Sequence, residues 1–345
     1  MTDLRIPPER KAHSAYHPVK IGQLTLPGNL FLAPVAGYSD RAFRSLCISC
    51  GANFTFTEMV SSEALTRGSG KTAEIMQRAD NEEAYAVQLF GGDPARMREA
   101  AMMVVEKTHA ECIDINAGCP VPKIIKTGAG SALTRDTDRL YAILSSVILA
   151  VAPTPVTVKI RSGWDETHLT WKEAAQAALS AGVSAITLHP RTRAQGYEGN
   201  ARLELITELT ALVHQANPSV SVFASGDLFT PENAKSLLDS SQCDGVMFAR
   251  GAIGNPFIFT QTKEFLTTGA YSEISVEERM QAGWKELSDL VLDFGEVSAC
   301  RIMRKRFSAY SRGITGGGAL RAAIVSASSV QDYRKIFKSY GFPSD

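Results

Sequence analysis

Residues 156–189 read VTVKIRSGWDETHLTWKEAAQAALSAGVSAITLH, and this stretch decides the fold. It opens with a run, 156–160, that is rich in β-formers and too short for a helix. It closes with a second such run, 185–189, and between them 171–181 carries a helical pattern. Strand, helix, strand in so short a span reads as one βαβ unit whose parallel strands are buried. The unit recurs in both directions. Further apolar runs stand at 30–35, 54–59, 85–90, 112–116, 220–224 and 245–249, eight in all, with helical stretches such as 95–109, 135–151 and 231–240 between them. Thr230 before Pro231 supplies an N-cap and an N1 proline. Eight βα units in series predict an α/β fold of the (β/α)8 TIM barrel type. Ahead of the first unit, residues 1–20 read as a loose leader. Residues 19–26, with Pro27-Gly28-Asn29 behind them, read as a short strand and turn capping one end of the fold.

The rhythm changes near residue 265. From Ser275 onward no strand-like run remains. Helical patterns stand at 276–294 and 297–311, then at 320–328 and 331–340, punctuated by Gly313 and Gly316-Gly317-Gly318. The expected organisation is therefore a catalytic barrel over residues 1–268 and a small C-terminal helical domain over 269–345. The length of 345 residues accommodates both, since a barrel of this kind takes about 250. With 44% hydrophobic and 21% charged residues the composition is that of an ordinary globular protein.

Lys plus Arg and Asp plus Glu both number 36, so the net charge is zero. This excludes a protein that holds nucleic acid by bulk charge alone, though not a local basic face. No apolar run is long enough to span a bilayer, and the N-terminus has no apolar signal core. A cytoplasmic monomer without membrane attachment is the expectation. The six cysteines then read as reduced thiols. Cys47 and Cys50 form a C-x-x-C, but no second cysteine pair completes a zinc site, so they read as two helix positions and no metal is expected.

Barrels of this type build their sites at the C-terminal ends of the strands. Here those ends carry polar or glycine-bearing groups: Pro34-Val35-Ala36-Gly37, Gln88, Asn116, Lys159, His189, Ser225-Gly226-Asp227 and Ala249-Arg250-Gly251. Such convergence on one mouth makes a ligand site. The last two loops occupy the position where barrels bind phosphate through backbone N–H groups, and Arg250 adds a charge-assisted clamp. Alternation along 156–160 points Lys159 into the mouth, where a lysine is costly unless paired and would support a developing anion. Gln88 offers a donor and an acceptor to a heterocycle edge. His189 reads equally as a ligand donor or a satisfied structural histidine. Cys119, between Gly118 and Pro120, could donate a proton as a thiol or attack as a thiolate, and sequence alone leaves both open.

These residues resemble one family. Asp114-Ile115-Asn116-Ala117-Gly118-Cys119-Pro120 looks like the signature of tRNA-dihydrouridine synthases. So do Ala33 to Asp40, Val87-Gln88-Leu89-Phe90-Gly91, Val158 to Trp164, His189-Pro190-Arg191-Thr192-Arg193 and Tyr197-Glu198-Gly199. The match runs in order over nearly the whole chain and is most similar to the bacterial B branch. It implies FMN as cofactor, NADPH as reductant and uridine in tRNA as substrate. Hydride would reach C6 of the uracil and Cys119 would protonate C5. The resemblance further implies FMN contacts by Pro34, Val35, Ala36, Gln88, Lys159, His189, Ser225, Gly226, Asp227, Ala249 and Arg250. Asn116, Arg193 and Tyr197 would face the uracil or the RNA. Met303-Arg304-Lys305 with Tyr310 looks like the family's RNA-facing helix. This chain departs from the pattern at Ser225, often Asn, at Ala249, usually Gly, and at Arg306 and Ala309, often His and Trp.

Charge placement points the same way. From Val297 to Val330 the chain has Arg301, Arg304, Lys305, Arg306, Arg312 and Arg321 and no acidic residue, a cluster able to track phosphates. The competing enzyme reading is an FMN barrel dehydrogenase acting on a free pyrimidine, of the dihydroorotate type. It would share the lysine and the phosphate loops but leave the basic tail unexplained. An RNA-binding module on a vestigial barrel would not need Gln88, Cys119, Lys159 and Arg250 together.

Overall fold

Inward and outward side chains alternate along the long strands, so one face of the sheet lines the barrel interior and the other packs on the helices. The computed structural model describes residues 15–344; the first fourteen residues of the expected leader lie outside them. Strands β1 (Val19–Ile21) and β2 (Leu24–Leu26) form an antiparallel hairpin. The barrel follows with β3 (Leu30–Leu32), β4 (Phe54–Phe56), the two-residue β5 (Val60–Ser61), β6 (Tyr85–Phe90), β7 (Cys112–Ala117), β8 (Val156–Gly163), β9 (Ala185–Thr192), β10 (Ser221–Ser225) and β11 (Gly245–Phe248). Each barrel strand pairs in parallel with its neighbours, and β5 continues β4 along the edge of β6. β11 returns to β3 and β4 pairs with β6, closing a ring of eight. The expected TIM barrel is observed.

On β8 the two faces separate cleanly. Val156, Val158 and Ile160 join the outer core with residues such as Ile143, Leu144 and Ala174 of the surrounding helices. Thr157, Lys159 and Arg161 occupy the intervening positions, and the last two reach the barrel mouth. The lower interior is apolar. Phe31 stacks edge-on with Phe54 and Phe223, and Phe54 with Phe56, at centroid distances of 6.0, 4.9 and 5.2 Å. Val19, Ile21 and Leu26 of the hairpin join this cluster and close the floor. Ser221 donates a 2.6 Å hydrogen bond to the Lys20 carbonyl there.

Strand ends depart from the apolar runs for local reasons. β3 stops at Leu32 because Pro34 has no N–H to donate; the last ladder bond is Ala33 N–H to the Phe248 carbonyl, 2.8 Å. The freed segment becomes a loop at the mouth. β8 and β9 continue beyond their expected ends, to Gly163 and Thr192, across a register shift between Arg161 and Gly163.

After the Ile258–Thr268 helix, Gly269 takes the left-handed C-cap conformation, and no strand follows among the described residues. Helices Val276–Phe294, Glu296–Tyr310, Gly317–Ser326 and Val330–Ser339 bury their own cluster, centred on Phe307, Tyr310, Tyr333 and Phe337. Ala42, Leu46 and Cys50 of the Arg41–Ser49 helix and its C-cap belong to the same cluster, so the tail packs on the first helix of the barrel. One expectation is corrected here. Arg306 is not a phosphate-tracking cation: it is 2% exposed and ion-paired with Asp40 and Glu286. Met303 and Tyr310 are likewise fully buried, and Tyr310 donates to Glu286 at 2.8 Å. Opposite charges on the barrel loop and the neighbouring tail helix captured this arginine, which the sequence pattern displayed as part of a basic face.

Candidate active site

The mouth of the barrel holds one large cavity. It opens to solvent at the mouth and is walled by the ends of the barrel strands and the loops that follow them. Every cofactor-site residue expected from sequence lines it, together with Asn116, Cys119 and Tyr197. Arg193, Arg304 and Lys305 do not. Arg193 lies beside the Trp164 ring. Arg304 donates to the Ala327 carbonyl at 2.9 Å. Lys305 is exposed, donates to the Gly37 carbonyl at 2.7 Å and sits 4.0 Å from the Tyr38 ring centroid.

The interior positions of β6, β7 and β8 build a chain of hydrogen bonds across the floor of the cavity. Gln88, Asp114 and Thr157 are register partners. Asp114 accepts from Gln88 Nε2 at 2.7 Å and from Thr157 Oγ1 at 2.6 Å. Gln88 Oε1 accepts from Asn116 Nδ2 at 2.8 Å. Asn116 Oδ1 in turn accepts the N–H groups of Gly118 and Cys119 at 3.1 and 2.9 Å. An ionised carboxylate only accepts, so Asp114 fixes the orientation of the Gln88 amide and, through it, that of Asn116 and the Cys119 loop. Burial pushes the Asp114 carboxyl up to about 6, against the hydrogen bonds from Gln88 and Thr157.

Arg161 holds the same loop from the other side. Its guanidinium donates to the carbonyls of Gly118, Thr192 and Gly196 at 2.9, 2.9 and 2.8 Å. Asp114, Thr157 and Arg161 were not singled out from sequence. The signal was present: each falls two residues from an inward-facing Asn116 or Lys159.

Lys159 finds no hydrogen-bond or ion-pair partner among the described residues. Burial, then Arg161, lowers its ammonium to about 8, while Asp114 and Cys119 pull it back. An anion entering the cavity would restore it. Cys119 is half-buried, and burial raises its thiol above the ordinary value, opposed by the Val121 N–H, Arg161 and Lys159. At neutral pH the sulfur keeps its proton, which favours the acid over the nucleophile among the two readings left open by sequence. His189 is neutral, because burial and the cations Lys159, Arg161, Arg191 and Arg250 oppose its charging. Its Nε2 lies 3.3 Å from Arg191 Nη1. Arginine only donates, so Nε2 accepts and the ring proton sits on Nδ1.

The far side of the cavity is a cradle of backbone donors. The N–H groups of Gly226, Asp227, Arg250 and Gly251 find no acceptor among the described residues. Gly226 has φ of +132° and lies so close to His189 that a Cβ would stand 3.0 Å from the ring; a Cβ on Gly251 would stand 2.1 Å from the Leu228 carbonyl. Asp227 pairs with Arg191 at 2.8 Å and Arg250 at 3.0 Å and also accepts the Ala201 N–H at 2.8 Å. It therefore braces the arginines behind two loops whose amides remain free. A phosphate group fits this chemistry. Ser225 ends β10 and Ala249 follows β11, each at the start of one of these loops. Among the described residues no group of three or more His, Cys, Asp or Glu could hold a metal ion, and no helix is long and apolar enough to cross a membrane.

Comparison with known proteins places this architecture. A tRNA-dihydrouridine synthase B of Escherichia coli is 38% identical over 296 residues, 85% of this chain and 89% of its own. A "Probable tRNA-dihydrouridine synthase" of Treponema pallidum is 53% identical over 330 residues, 94% of this chain and 97% of its own. The solved structure of an old yellow enzyme homologue from Zymomonas mobilis matches with a TM-score of 0.54 over 77% of this chain and 96% of its own, at 13% identity, a likeness of fold alone. The family model for dihydrouridine synthase (Dus) spans residues 31–339, which takes in both the cavity and the helical tail. With its barrel, its cysteine loop and its tail all inside that match, the chain belongs to the dihydrouridine synthase family.

Proposed function

We propose that this protein is a tRNA-dihydrouridine synthase that reduces the C5=C6 bond of a D-loop uridine, with FMN as cofactor and NADPH as reductant. The observation that carries the reading is the Cys119 thiol, its loop held by Asn116 and Arg161 on the wall of a cavity with an unpartnered lysine and free backbone amides. When bound, FMN supplies the hydride that reaches C6 of the uracil. The chain's own residues do the rest.

Cys119 delivers its proton to C5. Lys159 would lie against the cofactor ring and supply positive charge there. Gln88 uses one amide hydrogen on Asp114 and one lone pair on Asn116, which leaves a second of each for the ring edge. His189 would offer its Nδ1 proton, and Pro34, Val35 and Ala36 would pack against the ring. Ser225, Gly226, Asp227, Ala249 and Arg250 hold the phosphate end. Asn116, Arg193 and Tyr197 face the uridine and its strand, which must leave the stack to enter the cavity.

In this reading residues 1–268 are the catalytic domain and 269–345 the tRNA-binding domain, with Lys305 and Arg304 at its RNA-facing side. The protein works as a cytoplasmic monomer. The test is dihydrouridine formation on unmodified tRNA by purified protein with FMN and NADPH, mapped by position. Product at a D-loop uridine supports the reading. Bound flavin that is oxidised by a free pyrimidine, with tRNA untouched, replaces it with a small-molecule dehydrogenase.

A further inference from the structure

Three loops far apart in sequence meet on one ring at the rim of the barrel. The first is the 3-10 turn Gly130–Arg135, which packs beneath the cysteine loop. Its Ser131 hydroxyl lies 3.0 and 2.8 Å from the carbonyls of Gly118 and Cys119. The second contributes Trp164, directly after β8 ends at Gly163. The third contributes Arg193, directly after β9, whose N–H donates to the Gly163 carbonyl at 2.8 Å. The guanidinium carbons of Arg135 and Arg193 each stand 4.5 Å from the Trp164 ring centroid.

This arrangement gathers two positive charges on one indole without a counter-anion. Of the acids nearby in sequence, Asp136 pairs with Arg139, Asp165 with His168 and Glu166 with Arg202, while Asp138 and Glu198 form no ion pair with either arginine. Neither Arg135 nor Arg193 has a carboxylate partner among the described residues. The indole attracts each cation, but the cations repel each other, and nothing among the described residues balances them. Other arginines at the mouth differ. Arg161 spends its donors on three carbonyls and Arg250 is paired with Asp227.

We propose that Arg135, Trp164 and Arg193 form a phosphodiester clamp that grips the RNA backbone beside the nucleotide entering the cavity. The inference rests on the tRNA reading above and deepens it. Phosphodiester fits because a guanidinium fork matches two phosphate oxygens, and a nucleotide swung into the cavity leaves its flanking phosphates at the rim. The clamp also touches the chemistry mechanically. The turn carrying Arg135 supports Cys119 through Ser131, and Arg161 ties Gly118 to the loop that follows Arg193.

The experiment measures binding of unmodified tRNA transcript by the full, FMN-loaded chain across a range of KCl concentrations. It compares wild type with Arg135→Gln, the double variant Arg135→Gln/Arg193→Gln, and Arg135→Lys/Arg193→Lys. Bound-flavin absorbance reports folding in each, and the exposed Arg135→Gln stands in if the double variant does not fold. The plot of log affinity against log salt should flatten by roughly 0.7–0.9 for each phosphate that the glutamine variants no longer neutralise. KM for tRNA should rise about tenfold or more in the double variant, where about two phosphates go unneutralised. The lysine variant should recover the salt slope but not the full affinity, because it keeps charge and loses the planar fork. An unchanged slope and KM, with wild type converting tRNA normally, overturns the clamp alone. A wild-type protein that leaves tRNA unreduced overturns the functional reading and the clamp with it.

Discussion

The lower and upper halves of one barrel interior obey opposite rules. Below, Phe31, Phe54, Phe56 and Phe223 interlock edge-on against the hairpin that closes the floor. Above, one or two turns of the alternation later, Gln88, Asp114, Asn116, Thr157, Lys159, Arg161 and His189 fill the interior positions. A parallel strand gives each layer one residue per two positions, so β8 passes from barrel floor to mouth between Val156 and Arg161. The floor provides rigidity through close packing. The mouth accepts electrostatic cost, visible in the raised Asp114 and lowered Lys159, to hold groups where a ligand will need them.

The sharpest way to test this division is to remove one atom from the mouth. Cys119→Ala should leave the fold and bound flavin unchanged and lower dihydrouridine formation by about 10²–10⁴-fold, the usual worth of a general acid. Loss of flavin from that variant would mean the cysteine belongs to the cofactor site instead. The matching change below is Phe223→Ala. It should cost about 3–5 kcal/mol in denaturant unfolding and leave activity per folded molecule intact. If activity per folded molecule falls as steeply as stability, the two halves are not separable.

A smaller effect reads the mouth through pH. The Asp114 carboxyl titrates at about 6 in the fold against an ordinary 3.8. Between these values the unfolded chain binds fewer protons than the folded one, so stability falls as pH rises. This group should cost up to about 2–3 kcal/mol at pH 7 relative to pH 4, and Asp114→Asn should remove that slope. Identical pH–stability curves for the two proteins would show that the carboxylate is already ionised well below 6. Smallest of all, Lys305→Ala removes an exposed hydrogen bond to the Gly37 carbonyl. Stability should change by about 0.5 kcal/mol or less, with a modest drop in tRNA affinity and none in flavin affinity. Unchanged tRNA affinity would count against the tail as a docking face.

Periodicity makes the barrel legible because its units are local: an apolar run of period two, then a helix, repeated eight times. The residues at the strand ends are legible for the same reason. Once Lys159 is inside, its neighbours at the same height on other strands must be inside too. Gly226 and Gly251 read from sequence as tight turns or phosphate loops, and the free amides there favour the second. What local pattern cannot give is pairing. Arg306 reads as one more cation on a basic helix, yet Asp40 and Glu286, each far away in sequence, enclose it. Arg161, which no local pattern singles out, braces the Cys119 loop.

By itself, then, the sequence determined the eight-unit barrel, the helical tail and which residues face the mouth, because these follow from short-range alternation and hydrophobic burial. Only the tertiary structure decided which charges are spent and which are free. That depends on whether a counter-charge or carbonyl from another element arrives within hydrogen-bond reach. Arg306 and Arg161 met such partners, while Lys159 found none among the described residues.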